Sequence, residues 1–270
     1  MSVLDDIVAG VRIDLARREA ETPMRDLRAM LADVDPARDP MPHFRAPGSS
    51  VIAEVKRSSP SKGHLADIPE PAELAAAYAR GGAGAISVLT EERRFSGSLD
   101  DLRAVRAVVD VPVLRKDFIF SSYQLLEARA AGADLVLLMA SVVTEQDELR
   151  RLHDEARELG LTVLLEVHDE EEVARAVDLG AELIGVNARN LKTLEVDSST
   201  FGRLAPLVPD NRVKVAESGI FSPDDVAGFV DQGARVVLVG EALVKDGDPE
   251  QGVRSMTGLV AGQEKTGAGA

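Results

Sequence analysis

The sequence predicts an α/β fold, a (β/α)8 barrel with an N-terminal helical extension. Three observations carry that expectation. Eight short apolar, β-branched runs recur roughly 20 to 35 residues apart, the length of a strand–helix unit. Helical patterns fill the intervals, and several stop at a Gly-Ala or Gly-Leu pair just before the next run. Charged and polar residues collect at the C-terminal ends of the runs, where this fold keeps its chemistry. A doubly wound open sheet is the alternative. No G-x-G-x-x-G turn follows the first run, so the dinucleotide fingerprint of that fold is missing.

The elements follow in chain order. Leu4, Ile7, Val8, Val11 and Leu15 share one helical face. Residues 26–34 read as a second helix, and residues 1–50 as an extension packed on the barrel. The strands are VIAEVK (51–56), GAISVL (84–89), PVLRKD (112–117) and DLVLLM (134–139), then TVLLEV (162–167), LIGVN (183–187), VKVAES (213–218) and RVVLVG (235–240). The first intervening helix, PAELAAAYARGG, has Pro71 near its start and Gly81 near its end, the usual asymmetry. Further helices are read in SLDDLRAVRAVV, SYQLLEARAAG, TEQDELRRLHDEARELG, DEEEVARAVDLG, SSTFGRLAPLV and SPDDVAGFVDQG. Thr144 with Asp147, and Ser222 with Asp225, stand at cap spacing. Residues 1–262 are read as one domain and 263–270 as a disordered tail.

Composition narrows the function. The 270 residues carry 31 Lys and Arg against 46 Asp and Glu, a net charge of −15, with no dense basic run. A nucleic-acid partner is therefore not expected. No run approaches the ~18 apolar residues of a membrane span. Asp5 and Asp6 come early and no apolar stretch follows, unlike a signal peptide. The absence of Cys removes disulfides and thiolate metal sites, and a cytoplasmic location is expected. His43, His64, His153 and His168 show no ligand spacing, so no metal or other cofactor is expected. His153 lies mid-helix and is expected at the surface. No G-x-S-x-G elbow is present. A chain this acidic must gather its few cations locally to hold an anionic ligand.

The strand ends supply the candidates. Strand 1 ends in Glu54 and Lys56, strand 3 in Arg115, Lys116 and Asp117, and strand 5 in Glu166 and His168. Strand 6 ends in Asn187, then Arg189, and strand 7 in Glu217 and Ser218. Residues two apart on a strand share a face, so Ile52, Glu54 and Lys56 point the same way. An ion-paired ring closing the barrel top would account for any one of these charges. Buried charge is costly, and so many strand ends together point to a functional site. The loops ESGIFSPDD and VGEALV, after strands 7 and 8, carry Gly219, Gly240 and Glu241, whose backbone N–H groups can hold a phosphate. Ser59, beside strand 1, can add a hydroxyl. Phe95 reads equally as an aromatic wall or as packing. Phe118, Phe120 and Tyr123 read as packing.

Several segments also resemble a known family. EVKRSSPSKG, SVLTEERRFSGSL, LRKDFI, YQLLEARAAGADLVLL, LLEVHDEEE, IGVNARNLKTLEVD, VAESGI and VLVGEALV are similar, in order, to motifs of the indole-3-glycerol phosphate synthases. The resemblance implies a lyase of tryptophan biosynthesis. Its substrate would be the phosphosugar–anthranilate 1-(2-carboxyphenylamino)-1-deoxyribulose 5-phosphate, closed to an indole with loss of CO2 and water. Glu54, Lys56, Lys116, Glu166, Asn187, Glu217 and Ser218 fall on the family's catalytic positions, and Ser59, Gly219, Gly240 and Glu241 on its phosphate grip. Arg189 matches a supporting arginine. By the same resemblance Lys116 protonates the ketone, Lys56 holds the substrate carboxylate and Glu166 serves dehydration. Glu54 and Glu217 then orient the lysines and substrate hydroxyls, and Asn187 positions a hydroxyl or the aniline. The departures are Ala188 where a second Asn is frequent, LLMASVV after strand 4, and Arg94 where an aromatic is frequent. Leu137 and Met139 are expected to line the aromatic pocket.

Two other readings stay open at this level. A barrel isomerase of the phosphoribosylanthranilate type needs a Cys that is missing here. A non-catalytic phosphosugar-binding module has no need of Lys116 or Glu166. The barrel needs no partner to close, so a monomer is expected.

Overall fold

The computed structural model describes residues 2–65, 68–245 and 247–262. Eight strands form a closed barrel: β1 (Ser50–Val55), β2 (Ala85–Leu89), β3 (Val113–Lys116), β4 (Leu135–Met139), β5 (Thr162–Val167), β6 (Leu183–Asn187), β7 (Val213–Glu217) and β8 (Val236–Val239). Each pairs with its sequence neighbours in parallel, and β1 pairs with both β2 and β8 to close the ring. The sequence placed each strand within one residue of these bounds. The predicted tail 263–270 lies outside the described residues.

Alternation sorts the strand residues into two cores. Ile52, Ala85, Leu114, Leu135, Leu137, Leu164, Leu183, Val213, Val215, Val236 and Leu238 meet inside the barrel. Their neighbours in sequence, such as Val51, Val113, Val136, Val163, Ile184 and Val237, pack outward against the helices. Two apolar faces on one strand explain why the runs read as nearly continuous hydrophobic sequence. The last inward position of most strands is where that apolar interior gives way to polar side chains.

The extension is more than a leading helix. Helix Val3–Glu21 opens on a capping box: the Ser2 hydroxyl accepts the Asp5 N–H at 3.2 Å, and the Asp5 carboxylate accepts the Ser2 N–H at 2.8 Å. Its Leu4, Ile7 and Val11 join the inner apolar cluster, as do Met41 and Phe44 of the short helix Met41–Phe44. Asp14 accepts from Arg93 at 2.7 and 2.8 Å, and the Tyr123 hydroxyl lies 2.9 Å from the carbonyl of Arg18. The region read as one helix over 26–34 divides into helix Met24–Met30 and a 3-10 turn, Leu31–Asp33.

Three details differ from the sequence reading. Thr144 does not cap: helix Gln146–Glu158 starts one residue too late for it, with Glu145 at the N-cap and no side-chain bond. His153 is buried rather than on the surface, because Leu149, Leu152, His153 and Ala156 form the inward stripe of that helix. Burial also lowers its pKa. A helix forms over Pro249–Met256 where none was expected. Its signals were local, with Asp248 accepting the Gln251 N–H at 3.0 Å and Pro249 in the first turn. No described helix is long and apolar enough to cross a membrane.

Candidate active site

Side-chain alternation, carried to the end of each strand, gathers the candidates at one mouth. Glu54, Lys116, Glu166 and Glu217 sit two residues beyond the inward-facing Ile52, Leu114, Leu164 and Val215. Register then sets the neighbours. Asn187 lies opposite Glu217, and Glu166 lies between Met139 and Gly185. Two glycines make this crowding possible. A Cβ on Gly185 would lie 2.1 Å from Glu217 Oε1, and one on Gly240 would lie 2.8 Å from Glu54 Oε1. A side chain at Gly240 would therefore have to displace the Glu54 carboxylate, and its absence also suits a close ligand.

Lys116 is the centre of the floor. Its ammonium lies 3.2 Å from Glu166 Oε2 and 3.3 Å from Glu217 Oε2. Burial disfavours the charged lysine, but Glu217, Glu166 and Glu54 outweigh it and hold its pKa above the ordinary value. The two carboxylates respond differently to the same cation. Burial raises Glu166, yet Lys116 and then His168 pull it well below the usual range. Glu217 stays raised, by burial first, because Lys116 offsets only part of that cost and the Glu166 charge adds to it. The pair titrates as a unit with one member favouring the ionised form and the other the protonated form. Glu166 Oε1 and Glu217 Oε1 have no hydrogen-bond partner although both are buried. Lys56 forms an ion pair with Glu54 at the rim.

The wall is polar on one side and apolar on the other. Asn187 Oδ1 accepts from the Ser218 hydroxyl at 2.8 Å and from the Arg189 N–H at 2.9 Å, which fixes the amide. Ser218 adopts a left-handed φ of 69°, and Gly219 follows at 75°, so the chain turns sharply over the mouth. The Arg189 guanidinium donates to the Leu194 carbonyl at 3.0 Å and braces the β6 loop. Opposite, Phe95 lies 6.0 Å from Phe118 between ring centres, and Leu137 and Met139 complete an apolar face. Buried Glu91 accepts N–H bonds from Arg93, Arg94 and Phe95 at 3.1, 2.7 and 2.9 Å, and so shapes the loop carrying Phe95.

Ser59, Gly219, Gly240 and Glu241 line the same cavity. Ser58–Ser59 and Gly63–His64 form a small antiparallel ribbon that the sequence left as loop. Lys62, at its turn, binds Glu241 at 2.7 and 2.8 Å and ties the β1 loop to the β8 loop. The Glu241 carboxylate is therefore engaged with Lys62 and Lys245.

Of the candidates named from the sequence, all but Arg115 and His168 line this one cavity. Phe118, read as packing, lines it too. Arg115, which shares the strand end of Lys116, does not line the cavity, whereas Asp117 does. Alternation turns Arg115 outward, where it is fully buried against Asp117 at 2.8 Å and Glu127 at 2.9 Å. Arg94 is exposed and away from the cavity. The engagement of His168 with Glu166 was not assigned from the sequence, although its position two residues beyond Glu166 signals the same face.

The chain matches the family model described as indole-3-glycerol phosphate synthase over residues 4–256. It is 78% identical over 259 residues to the indole-3-glycerol phosphate synthase of Nocardioides sp. (strain ATCC BAA-499 / JS614), covering 96% of this chain and 99% of that one. It is 59% identical over 256 residues to indole-3-glycerol phosphate synthase 1 of Streptomyces coelicolor, covering 95% of each. Among solved structures, thiamine phosphate pyrophosphorylase from Pyrococcus furiosus superposes with a TM-score of 0.57 at 17% identity, over 77% of this chain and 93% of that one. That last likeness is one of fold.

Proposed function

The chain belongs to the indole-3-glycerol phosphate synthase family, and on that premise we propose how its barrel mouth divides the work. The activity is that of a decarboxylating, ring-closing lyase of tryptophan biosynthesis, acting on 1-(2-carboxyphenylamino)-1-deoxyribulose 5-phosphate. The observation that carries the assignment of roles is the buried Lys116 ammonium between Glu166 and Glu217. The ring carbon bearing the carboxylate attacks the ketone, and Lys116 gives its proton to the ketone oxygen. Lys56 pairs with the substrate carboxylate until CO2 leaves, when the bonding electrons return to the ring and restore its aromaticity. Loss of water then needs a proton on the departing hydroxyl and removal of one from the methylene beside nitrogen. Glu166, held ionised, takes the methylene proton, and the carboxyl group so formed gives a proton to the departing hydroxyl, which leaves as water.

Glu54 and Glu217 orient the two lysines and the substrate hydroxyls. Asn187, braced by Ser218, positions a hydroxyl or the aniline. Ser59, Gly219, Gly240 and the Glu241 backbone hold the phosphate, with Arg189 supporting the adjoining loop. Phe95 and Leu137 bound the space for the aromatic ring. The same reading takes residues 1–262 as one domain acting as a cytoplasmic monomer without a nucleic-acid partner.

The test is indole-3-glycerol phosphate formation followed by fluorescence. Lys116→Ala and Glu166→Gln are each expected to lower turnover about a hundredfold or more, in keeping with positioned acid–base catalysis. Near-normal turnover in a folded Lys116→Ala chain would remove Lys116 as the acid. An unaffected Glu166→Gln rate would do the same for Glu166.

A further inference from the structure

Beyond Glu166 the β5 chain continues for two residues toward the mouth. Val167 turns outward into the helix-side core, and His168 returns to the inward face. The imidazole is held from behind by one residue. Glu172 Oε2 accepts the His168 backbone N–H at 2.8 Å and lies 3.1 Å from His168 Nδ1. Glu172 is itself fixed in the first turn of helix Glu170–Leu179, where its own N–H bonds the Asp169 carboxylate at 2.9 Å. His168 Nε2 then lies 3.2 Å from Glu166 Oε1. The contact is an ion pair that falls short of an aligned hydrogen bond, since both atoms lack a bonded partner. The two oxygens of Glu166 are thus divided, Oε2 to Lys116 and Oε1 to His168.

We propose that His168 is a positioning residue for the ring-closing reaction: clamped by Glu172, its imidazole holds Glu166 Oε1 and leaves Oε2 to Lys116 and the substrate. The inference rests on the reading of Glu166 as the acid–base group. Electrostatics point the same way. Glu166 from β5 and Glu172 from the following helix face the ring, with Lys116 and the Asn187 amide beyond Glu166. Burial disfavours the charged ring, but the two glutamates outweigh it and push its pKa up to about 10. An imidazolium at neutral pH donates from both nitrogens, as a bridge between two carboxylates requires. A purely structural role is the competing account. Glu172 would then serve only the backbone N–H, and the ring would fill space.

Four forms of the full chain separate these accounts: wild type, His168→Leu, His168→Gln and Glu172→Gln. His168→Leu is expected to lower kcat about tenfold or more, with KM within about twofold, because a positioned acid–base group is worth 10²–10⁴ in rate and only its orientation and charge are lost. Removing a cation beside Glu166 raises the pH at which it ionises, so the acid limb of kcat against pH moves upward. His168→Gln retains a donor and is expected to recover most of the rate. In the wild type, nitrogen NMR of the imidazole should show both nitrogens protonated at pH 8, and Glu172→Gln should lower the pH at which the ring titrates. A folded His168→Leu chain with wild-type kcat and an unshifted acid limb overturns the proposal. A neutral ring at pH 8 overturns it as well, and this readout decides alone if His168→Leu does not fold. Glu166→Gln is assayed in parallel. If it is inactive while His168→Leu is normal, only the positioning role fails; if it is fully active, the assignment beneath it fails.

Discussion

Lys116 faces two carboxylates at nearly equal distance, yet their protons are not shared equally. The difference comes from what stands behind each. Glu166 has His168 and Asn187 in addition to Lys116, whereas Glu217 has burial and the Glu166 charge against it. His168 also ties stability to pH. Its folded value near 10 lies above the ordinary value of about 6.5. A cation stabilised by folding contributes fully below pH of about 6.5 and loses that contribution as pH rises toward 10. The gap in melting temperature between wild type and His168→Leu should therefore shrink steadily across that window. A gap that stays constant would mean the ring is not charged in the folded chain. Arg115 shows the opposite use of charge one residue from Lys116. It is fully buried, bridges Asp117 and Glu127, and serves the scaffold.

The elements hold these side chains through their ends. The strands lift one polar residue each above an apolar interior, and the loops that follow are braced by short-range bonds. Ser222 illustrates the scale of such a brace. Its hydroxyl accepts the Asp225 N–H at 3.2 Å, and the Asp225 carboxylate accepts the Phe221 N–H at 2.9 Å. The cap therefore fixes the entry to helix Pro223–Asp231, downstream of Ser218 and Gly219. Ser222→Ala is expected to cost about 1 kcal/mol, or roughly 2 to 4 °C in Tm, with kcat unchanged. An unchanged Tm would show that the cap adds nothing. This cap was legible because Ser and Asp stood three apart before an apolar run. The same spacing misled at Thr144, where the helix starts at Gln146 and Glu145 takes the N-cap position with no side-chain bond. Spacing names a candidate cap, and the entry angle of the chain decides whether it forms.

At the scale of the whole molecule, the extension and the barrel form one mechanical path to the site. Helix Val3–Glu21 grips Arg93 through Asp14. Arg93 leads into the loop that Glu91 folds around Phe95. Buried Leu4, Ile7, Val11 and Leu15 add roughly 1.5 to 3 kcal/mol each to the docking of the helix, before its ordering cost is counted. Removing residues 1–22 is expected to lower Tm and to raise KM, since Phe95 loses its brace. Asp14→Asn cuts only the grip on Arg93 and should raise KM by a smaller factor. If both forms keep the wild-type KM, the extension plays no part in the substrate wall.

The sequence by itself determined the barrel, its eight strands and the set of polar residues at their C-terminal ends. Each rests on short-range rules: alternation along a strand, a Gly stop after a helix, and the cost of leaving charge unpaired in an apolar run. Only the tertiary structure decided which of those residues work together. Arg115 and Lys116 are neighbours in the chain but face opposite sides of the sheet, so one braces the helices and the other enters the mouth. His153 could not be told from a surface residue until its helix docked and buried it. Lys62 reaches Glu241 across 179 residues of sequence, and His168 stands between Glu166 of the strand and Glu172 of the following helix. Such partnerships depend on strand register and on how loops cross the barrel rim. Local sequence rules carry no information about either, because both follow from closure of the whole ring.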